Sequence, residues 1–335
     1  MTAQRLQLYR HLLRIRLLDE RLVQLQRQGR VGFHGSCAGQ EVAPVAAGLA
    51  LRPGDWIFPA LRESYAMLVR GYPLARYLAQ DFGTSLDPSR GRQMPSHQSA
   101  RSVNVVSWSS CIATQLPQAV GMALAARKQG KTDISLAFLG DGATSHPDFH
   151  AALNFAGVFR APCVFVCQNN QFAISVPVER QSGNPLLFEK AAAYGIAGER
   201  VDGNDAEVVL ETLTRAAERA RSGAGPSFVE CLTYRVGPHS SSDDPSLYRD
   251  EAVARAWAER DPVKLMRDRL FADGTFDEAR DGALRAELTE ELDRAVDAAE
   301  QALPPPVTSL FDDVYAKPPW HLAEQAATAR RRDQP

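Results

Sequence analysis

The stretch that most constrains this 335-residue chain is a short apolar run ending in a glycine-flanked acid, Leu139-Gly140-Asp141-Gly142-Ala143. Residues 133–139 read Asp-Ile-Ser-Leu-Ala-Phe-Leu, short and apolar in the manner of a buried strand. Residues 163–167, Cys-Val-Phe-Val-Cys, pass the same test and lead into Gln168-Asn169-Asn170-Gln171-Phe172. Between them, residues 147–159 repeat Phe149, Ala152, Leu153, Phe155 and Ala156 at helical spacing. The order is strand, acid, helix, strand, paired asparagines. In an open parallel sheet, ligands bind at the carboxyl ends of strands. That places the Asp141 carboxylate and the Asn170 amide side by side at one rim.

Glycines around an acid allow a tight turn and close backbone approach. The amides of Gly142 and Ala143, opening a helix, would face an anion. Asp141 and Asn170 offer hard oxygen ligands, which suit a magnesium ion that also holds phosphate oxygens. The residues therefore point to a magnesium diphosphate site. Taken alone, Gly-Asp-Gly can equally be a plain strand-to-helix turn. A second motif 26 residues further on, with a strand behind it, is more specific than either motif by itself.

Composition excludes several classes. Hydrophobic residues make up 44% and charged residues 23%, ordinary for a globular protein. A formal net charge of −2 provides no broad basic field for nucleic acid. The five cysteines (Cys37, Cys111, Cys163, Cys167, Cys231) contain no Cys-x-x-Cys and sit mainly among apolar or small residues. They read as packing residues of a reduced cytoplasm. The N-terminus carries Arg5, Arg10, Arg14 and Arg16 without a continuous apolar core, so neither a signal peptide nor a membrane span is expected.

The remaining elements follow the same rules. Residues 6–28 read as a helix with leucines on more than one face, expected to pack on something besides its own domain. A glycine-rich loop with His34 follows, then a helix over 40–51, a short apolar segment at 55–59 and a helix to Arg70. Residues 86–107 have little periodicity, and a long irregular stretch of this kind points to function. Residues 109–115 open a helix running to about Gly130. A loop over 175–195 leads to a strand at 197–201. Asp205 caps a helix through Arg221 that buries Val208, Val209, Leu213, Ala216 and Ala220. A strand over 227–234 precedes the polar loop 235–245, the kind of segment where binding and catalysis collect. Residues 251–303 are helical, 310–322 form an aromatic tail suited to a neighbouring subunit or the home domain, and 323–335 read as frayed.

With these landmarks placed, nearly the whole chain resembles the alpha subunits of thiamine diphosphate-dependent 2-oxo acid dehydrogenases, most closely the branched-chain type. The matching segments are residues 25–33, 91–95, 109–118, 140–145, 169–175, 201–205, 237–244 and 311–315. The resemblance implies an α/β fold, a parallel sheet with helices on both faces. It implies a single thiamine diphosphate-binding domain over 1–335, with a helical arm at 1–30 and a helical extension at 251–335. Residue by residue, it makes Asp141, the Asn170 side chain and the Phe172 carbonyl the magnesium ligands. Arg62, Gly142, Ala143 and His239 would meet the diphosphate, with Gln168 at a position where relatives often contact it. Ser110 and Ile112 would lie against the cofactor, and His239 would stabilise charge or shuttle protons as the catalytic residue. Ser109, Thr114 and Gln115 match a structural potassium site of some relatives.

The implied activity is oxidative decarboxylation of a 2-oxo acid with acyl transfer to lipoamide. Implied partners are a beta subunit in an α2β2 assembly, which contributes a glutamate, and a lipoyl-bearing acyltransferase. The serines after His239 are a phosphorylated loop in mitochondrial relatives. Four departures stand out. Leu61 replaces a usual tyrosine and Gln168 a frequent arginine, so weaker diphosphate binding is expected. Ser145-His146-Pro147 replaces Ser-Glu-Gly, and Gln98-Ser99 replaces an aromatic and a glycine after His97. Two alternatives accompany the branched-chain reading: a pyruvate or acetoin dehydrogenase alpha subunit, and a non-catalytic paralogue acting as an interaction subunit.

Overall fold

The strands are, in chain order, β1 (Trp56–Phe58), β2 (Ser135–Gly140), β3 (Cys163–Asn169), β4 (Phe172–Ala173), β5 (Val176–Pro177), β6 (Ala197–Asp202) and β7 (Ser227–Leu232). They belong to a computed structural model that describes residues 2–240 and 242–332. Five strands pair in parallel in the order β1-β2-β3-β7-β6, and β4-β5 is a separate antiparallel hairpin. The two apolar runs that anchor the sequence motifs are β2 and β3, adjacent and in register from Ser135–Cys163 to Gly140–Gln168.

Side chains alternate across these strands. Leu136, Phe138, Val164 and Val166 enter one buried cluster, while Ala137, Leu139, Phe165 and Cys167 enter the other. A strand buried on both faces must be apolar throughout, which is why these runs lack polar alternation. The helices are α1 (Thr2–Arg27), α2 (Val42–Ala50), α3 (Ala66–Val69), α4 (Leu74–Phe82), α5 (Gln115–Lys128), α6 (Pro147–Val158), α7 (Ala206–Arg221), α8 (Glu251–Ala258), α9 (Pro262–Ala272), α10 (Glu278–Glu300) and α11 (Trp320–Arg332). On one face α5 lies against β1, β2 and β3 with α6 beside it. On the other, α7 lies on β3, β6 and β7, with α2 packed on α7. The fold is therefore the expected parallel sheet with helices on both faces. No helix among the described residues is long and apolar enough to cross a membrane.

The leucines of α1 find their partners within the chain. Leu8, Leu12, Leu13, Leu18, Leu22 and Leu25 are buried, and the helix packs on α2, α9 and α10. Its arginines reach the acids of the C-terminal helices, Arg10 to Glu287 and Arg14 to Glu291 at 2.5 Å and Arg16 to Asp261 at 2.7 Å. The apolar faces of α1 thus pack into a layer built from both chain ends.

Other expectations shift locally. Residues 61–65 do not start a helix; α3 is confined to Ala66–Val69. Val208, expected to be buried, is 40% exposed, and Phe155 of the apolar repeat in α6 is 54% exposed. The segment read as frayed contains α11, and Arg90 pairs with Asp312 and Asp313, while Leu310, Tyr315 and Trp320 face outward. Part of the irregular stretch extends the sheet, since the Ile57 amide donates to the Asn104 carbonyl at 2.9 Å and the Val106 amide to the Ile57 carbonyl at 3.0 Å.

Asp205 caps α7 as expected, accepting from the amides of Glu207 and Val208 at 3.1 and 3.2 Å. Arg269 of α9 also grips it through two nitrogens at 2.8 and 2.6 Å, and that contact, helped by the amides, holds its carboxyl below the usual range. Asp205→Ala should therefore lose about 1–2 kcal/mol, the size of a lost N-cap. The check is a urea unfolding midpoint that falls with unchanged slope, with Asp205→Asn recovering part of the loss.

Candidate cofactor site

A cavity of about 610 Å³ opens at the carboxyl ends of the central strands. Arg62, Ser110, Ile112, Asp141, Gly142, Ala143, Gln168, Asn170, Phe172 and His239 all line it, so the fold gathers every residue singled out for thiamine diphosphate or magnesium. Ser109 and Gln115 of the potential potassium set line it too. Thr114 does not, and its hydroxyl donates to the Cys111 carbonyl at 2.9 Å. Residues 109–114 form a turn ahead of α5, with Ala113 at φ 65°, instead of opening the helix.

One corner of the cavity is built from oxygens. Asp141, at the end of β2, is 2% exposed, and burial pushes its carboxyl up against the opposing hydrogen bond from Gln181. That bond runs from Gln181 Nε2 to Asp141 Oδ2 at 2.8 Å. Asn170 donates through Nδ2 to Gln40 Oε1 at 2.9 Å, which fixes the amide, and its Oδ1 accepts from the Phe172 amide at 3.2 Å. The Phe172 carbonyl accepts from Arg235 Nη1 at 3.3 Å. Amide and carbonyl oxygens have two lone pairs, so both keep one for a further partner. A carboxylate, an amide oxygen and a backbone carbonyl fit a hard divalent cation that takes its other ligands from phosphate and water. A Cβ at Gly142 would lie 2.6 Å from the Ala173 Cβ, so only glycine lets this turn seat against β4. The turn differs from expectation in one respect. Asp141–Ser145 form a short 3-10 turn, and α6 begins beyond His146 at Pro147, so the amides of Gly142 and Ala143 belong to that turn and not to α6.

The cavity lining also carries cations. Arg62 is buried, donating from Nε to the Ser36 carbonyl and from Nη2 to the His239 carbonyl, both at 2.7 Å. Burial, and then Arg235, lower its pKa. Arg235, 1% exposed, donates to the Ile174 carbonyl at 2.5 Å and the Tyr248 hydroxyl at 2.8 Å. Two desolvated guanidiniums on one cavity favour an anion between them. His239 is pushed down to about 4 by burial and by Arg62 and Arg235, so its imidazole is neutral at neutral pH, and Nδ1 has no partner among the described residues. Its amide donates to Asp243 Oδ2 at 2.6 Å. Ser241, in the same loop, lies outside the described residues.

A family model for the dehydrogenase E1 component matches residues 9–308. The chain belongs to that family. It is 40% identical over 319 residues to the 2-oxoisovalerate dehydrogenase subunit alpha 1, mitochondrial, of Arabidopsis thaliana, covering 95% of this chain and 68% of the relative. It is 41% identical over 310 residues to the 3-methyl-2-oxobutanoate dehydrogenase subunit alpha of Mycobacterium tuberculosis (strain CDC 1551 / Oshkosh), covering 92% and 82%. To the pyruvate dehydrogenase E1 component subunit alpha of Bacillus cereus it is 38% identical over 320 residues, covering 95% and 84%. The E1 dehydrogenases are thiamine diphosphate-dependent, and their alpha subunits generally pair with beta subunits.

Within this E1 chain the structure also gathers residues that sequence reading passed over. Arg235 opens the polar loop after β7, and nothing in its sequence neighbours marks it as buried. Gln40 orients Asn170 across 130 positions, and no local pattern announces that. His34, read as an unremarkable loop residue, joins the buried Asp19 at 2.9 Å. Burial opposes the charge on Asp19, but His34, Ser36 and the Cys37 amide outweigh it and hold the carboxyl below its usual range. This cluster ties α1 to the loop whose Ser36 carbonyl receives Arg62. Leu61 packs on Gly35, where a Cβ would come within 3.2 Å of its Cδ2.

Gln168 lines the cavity, but its amide donates to the buried Glu63 carboxyl, which burial pushes up. One of the two N–H groups of that amide is engaged inside the wall, and the other is left for a ligand in the cavity. Gln168→Leu should leave a buried carboxyl oxygen unpaired, a loss of about 1–3 kcal/mol. Chemical unfolding checks this, and Gln168→Arg should keep or raise the wild-type midpoint because it restores a donor to Glu63.

Proposed function

We propose that this chain is the alpha subunit of a branched-chain 2-oxo acid dehydrogenase and that its cavity binds thiamine diphosphate with magnesium. The observation that carries the reading is the pairing of an oxygen corner, Asp141 with Asn170, and a cationic wall, Arg62 with Arg235, at adjacent strand ends of one cavity. When bound, thiamine diphosphate supplies the carbanion-stabilising chemistry of decarboxylation. The chain's own residues hold and orient it. Asp141, Asn170 and the Phe172 carbonyl take the magnesium, while Gly142, Ala143 and Arg62 take the diphosphate. Ser110 and Ile112 flank the cofactor, and Ser109, Thr114 and Gln115 are the candidates for a structural potassium ion. His239, neutral and with Nδ1 free among the described residues, accepts or returns a proton at that atom.

The site is half of a larger one in this reading. Among the described residues, the carboxyl groups lining the cavity are Asp141 and Glu63, both already engaged. A base for the pyrimidine end of the cofactor then comes from a beta subunit in an α2β2 assembly. Met94, Ile112 and Ile174 line the cavity yet are 60%, 53% and 55% exposed, an apolar mouth consistent with a covering partner. The acyl group passes to lipoamide on an acyltransferase. We take residues 1–335 as one domain, supported by the buried cluster that α1, α9 and α10 share with the sheet. A reduced cytoplasm remains our proposed location.

Asp141→Ala should abolish magnesium-dependent cofactor binding by calorimetry while circular dichroism stays native. Retained binding in that variant would remove the site assignment and admit the non-catalytic alternative. The purified chain alone should not turn over 2-oxo acids at an enzymatic rate, and its beta partner should restore turnover. A substrate series of 3-methyl-2-oxobutanoate, pyruvate and acetoin on the assembled enzyme then decides the acyl preference, with the branched substrate expected to have the highest kcat/KM.

A further inference from the structure

Lys190 stands behind the turn that follows β2, and among the described residues its partners are all neutral. It belongs to a half-buried stretch of a 3-10 segment, Leu187–Tyr194. Its ammonium donates to the Thr144 hydroxyl at 3.0 Å and to the Thr144 carbonyl at 3.3 Å. The ring centre of Phe149, near the start of α6, lies 5.9 Å from Nζ, within the range of cation–π attraction. Burial lowers the pKa of this lysine, and the opposing influence comes from Cys167 and not from a carboxylate. The adjacent acid, Glu189, accepts from Asn184 at 2.6 Å instead.

A lysine ordinarily carries its ammonium out to water along an apolar stem. Here the ammonium is laid against backbone. The same turn presents Gly142 and Ala143 to the cavity, whereas neither Thr144 nor Lys190 lines it. An ammonium only donates, so the Thr144 oxygen accepts from Lys190, and its single proton goes to the Asp141 carbonyl at 2.8 Å. The His146 amide donates to the Ala143 carbonyl at 3.1 Å. The carbonyls of Asp141, Ala143 and Thr144 are thus all engaged, and Lys190 is two hydrogen bonds from the backbone of Asp141. Hydrogen bonds in series polarise one another, so a cation at the head of the series tightens the link from Thr144 to Asp141.

The turn has little field of its own. Asp141–Ser145 spans five residues, too few for an appreciable helix dipole, and α6 starts only beyond it. A formal positive charge on the far side of the same turn supplies what the backbone lacks, in a partly buried place where water screens it weakly.

We propose that Lys190 is a positioning residue of the cofactor site, closing the diphosphate turn through Thr144 and lending it an uncancelled positive charge without touching the ligand. The inference rests on the diphosphate reading of the cavity. Arg62 and Arg235 act from the cavity lining, and Lys190 acts from behind the turn.

The test uses the full chain assembled with its beta partner and titrates magnesium with inorganic diphosphate, then magnesium thiamine diphosphate, by calorimetry. Lys190→Met keeps an apolar stem against Phe149 and removes the charge. Both ligands are expected to bind it roughly tenfold more weakly, the order expected for one charge acting across a partly buried turn. Lys190→Arg keeps the charge and should recover most of the affinity. Thr144→Val should weaken binding as well. The two losses should not simply multiply in the double variant, because both act through one hydrogen bond. The unfolding midpoint of the ligand-free assembly separates positioning from plain support. It should not fall in Lys190→Met, since that change breaks no ion pair and removes a partly desolvated charge. Four outcomes would overturn the proposal while leaving the cofactor assignment standing: wild-type affinity in Lys190→Met, a Lys190→Arg protein as weak as Lys190→Met, losses that multiply, or a lowered midpoint in Lys190→Met. Absence of binding by the wild type would overturn both.

Discussion

The guanidinium of Arg62 is the joint on which the cavity depends. It follows β1 closely in sequence, yet its hydrogen bonds go to carbonyls on two other loops, those of Ser36 and His239. A buried cation without partners is expensive, and one paired with carbonyls and an incoming anion is not. Arg62 therefore pins the loop after α1 and the loop after β7 over the same strand ends. The Asp19 cluster performs the matching task one layer deeper, since the same Ser36 that presents its carbonyl to Arg62 donates through its hydroxyl to Asp19 at 2.6 Å.

Charge is distributed across the cavity with a consistent sense. Its cations, Arg62 and Arg235, are held by neutral carbonyls and a hydroxyl, which satisfy hydrogen bonds without neutralising charge. Its acids are treated in the opposite way: Asp141 and Glu63 receive neutral amide donors from Gln181 and Gln168. Neither sign is cancelled by direct ion pairing, so both remain available to a ligand that brings a cation and an anion together. A magnesium diphosphate is such a ligand. His239, neutral because the same arginines and burial disfavour its protonated form, adds proton-transfer capacity without adding to the positive charge.

Legibility varied with the kind of information a residue carries. Asp141, Gly142 and Asn170 stood out because strand, turn and helix signals surround them, and the parallel sheet has only one place for the ends of its strands. Arg62, Ser110 and His239 came from resemblance alone, as their flanking residues form no periodic pattern. Gln168 was read through what relatives carry at that position, and its pairing with Glu63, 105 positions away, had no local trace. The burial of Val208 was misjudged because helical spacing gives a face and not its edges, and the edge of a face is set by which neighbours pack there.

The sequence by itself determined the sheet's central strands, the acid and asparagine at their ends, the N-cap of α7 and the family to which the chain is similar. These are local signals, carried by apolar runs, glycines and caps within a few residues of one another. The tertiary structure alone decided which partners each site residue meets: that Gln40 fixes Asn170, that Gln181 rather than a lysine or arginine holds Asp141, and that His97 and Ser110 are hydrogen-bonded. It also decided that the leucines of α1 are buried by helices from the far end of the chain. Hydrogen-bond partners and buried neighbours in these cases come from segments far apart in sequence, and only the closing of the fold brings them within 3 Å.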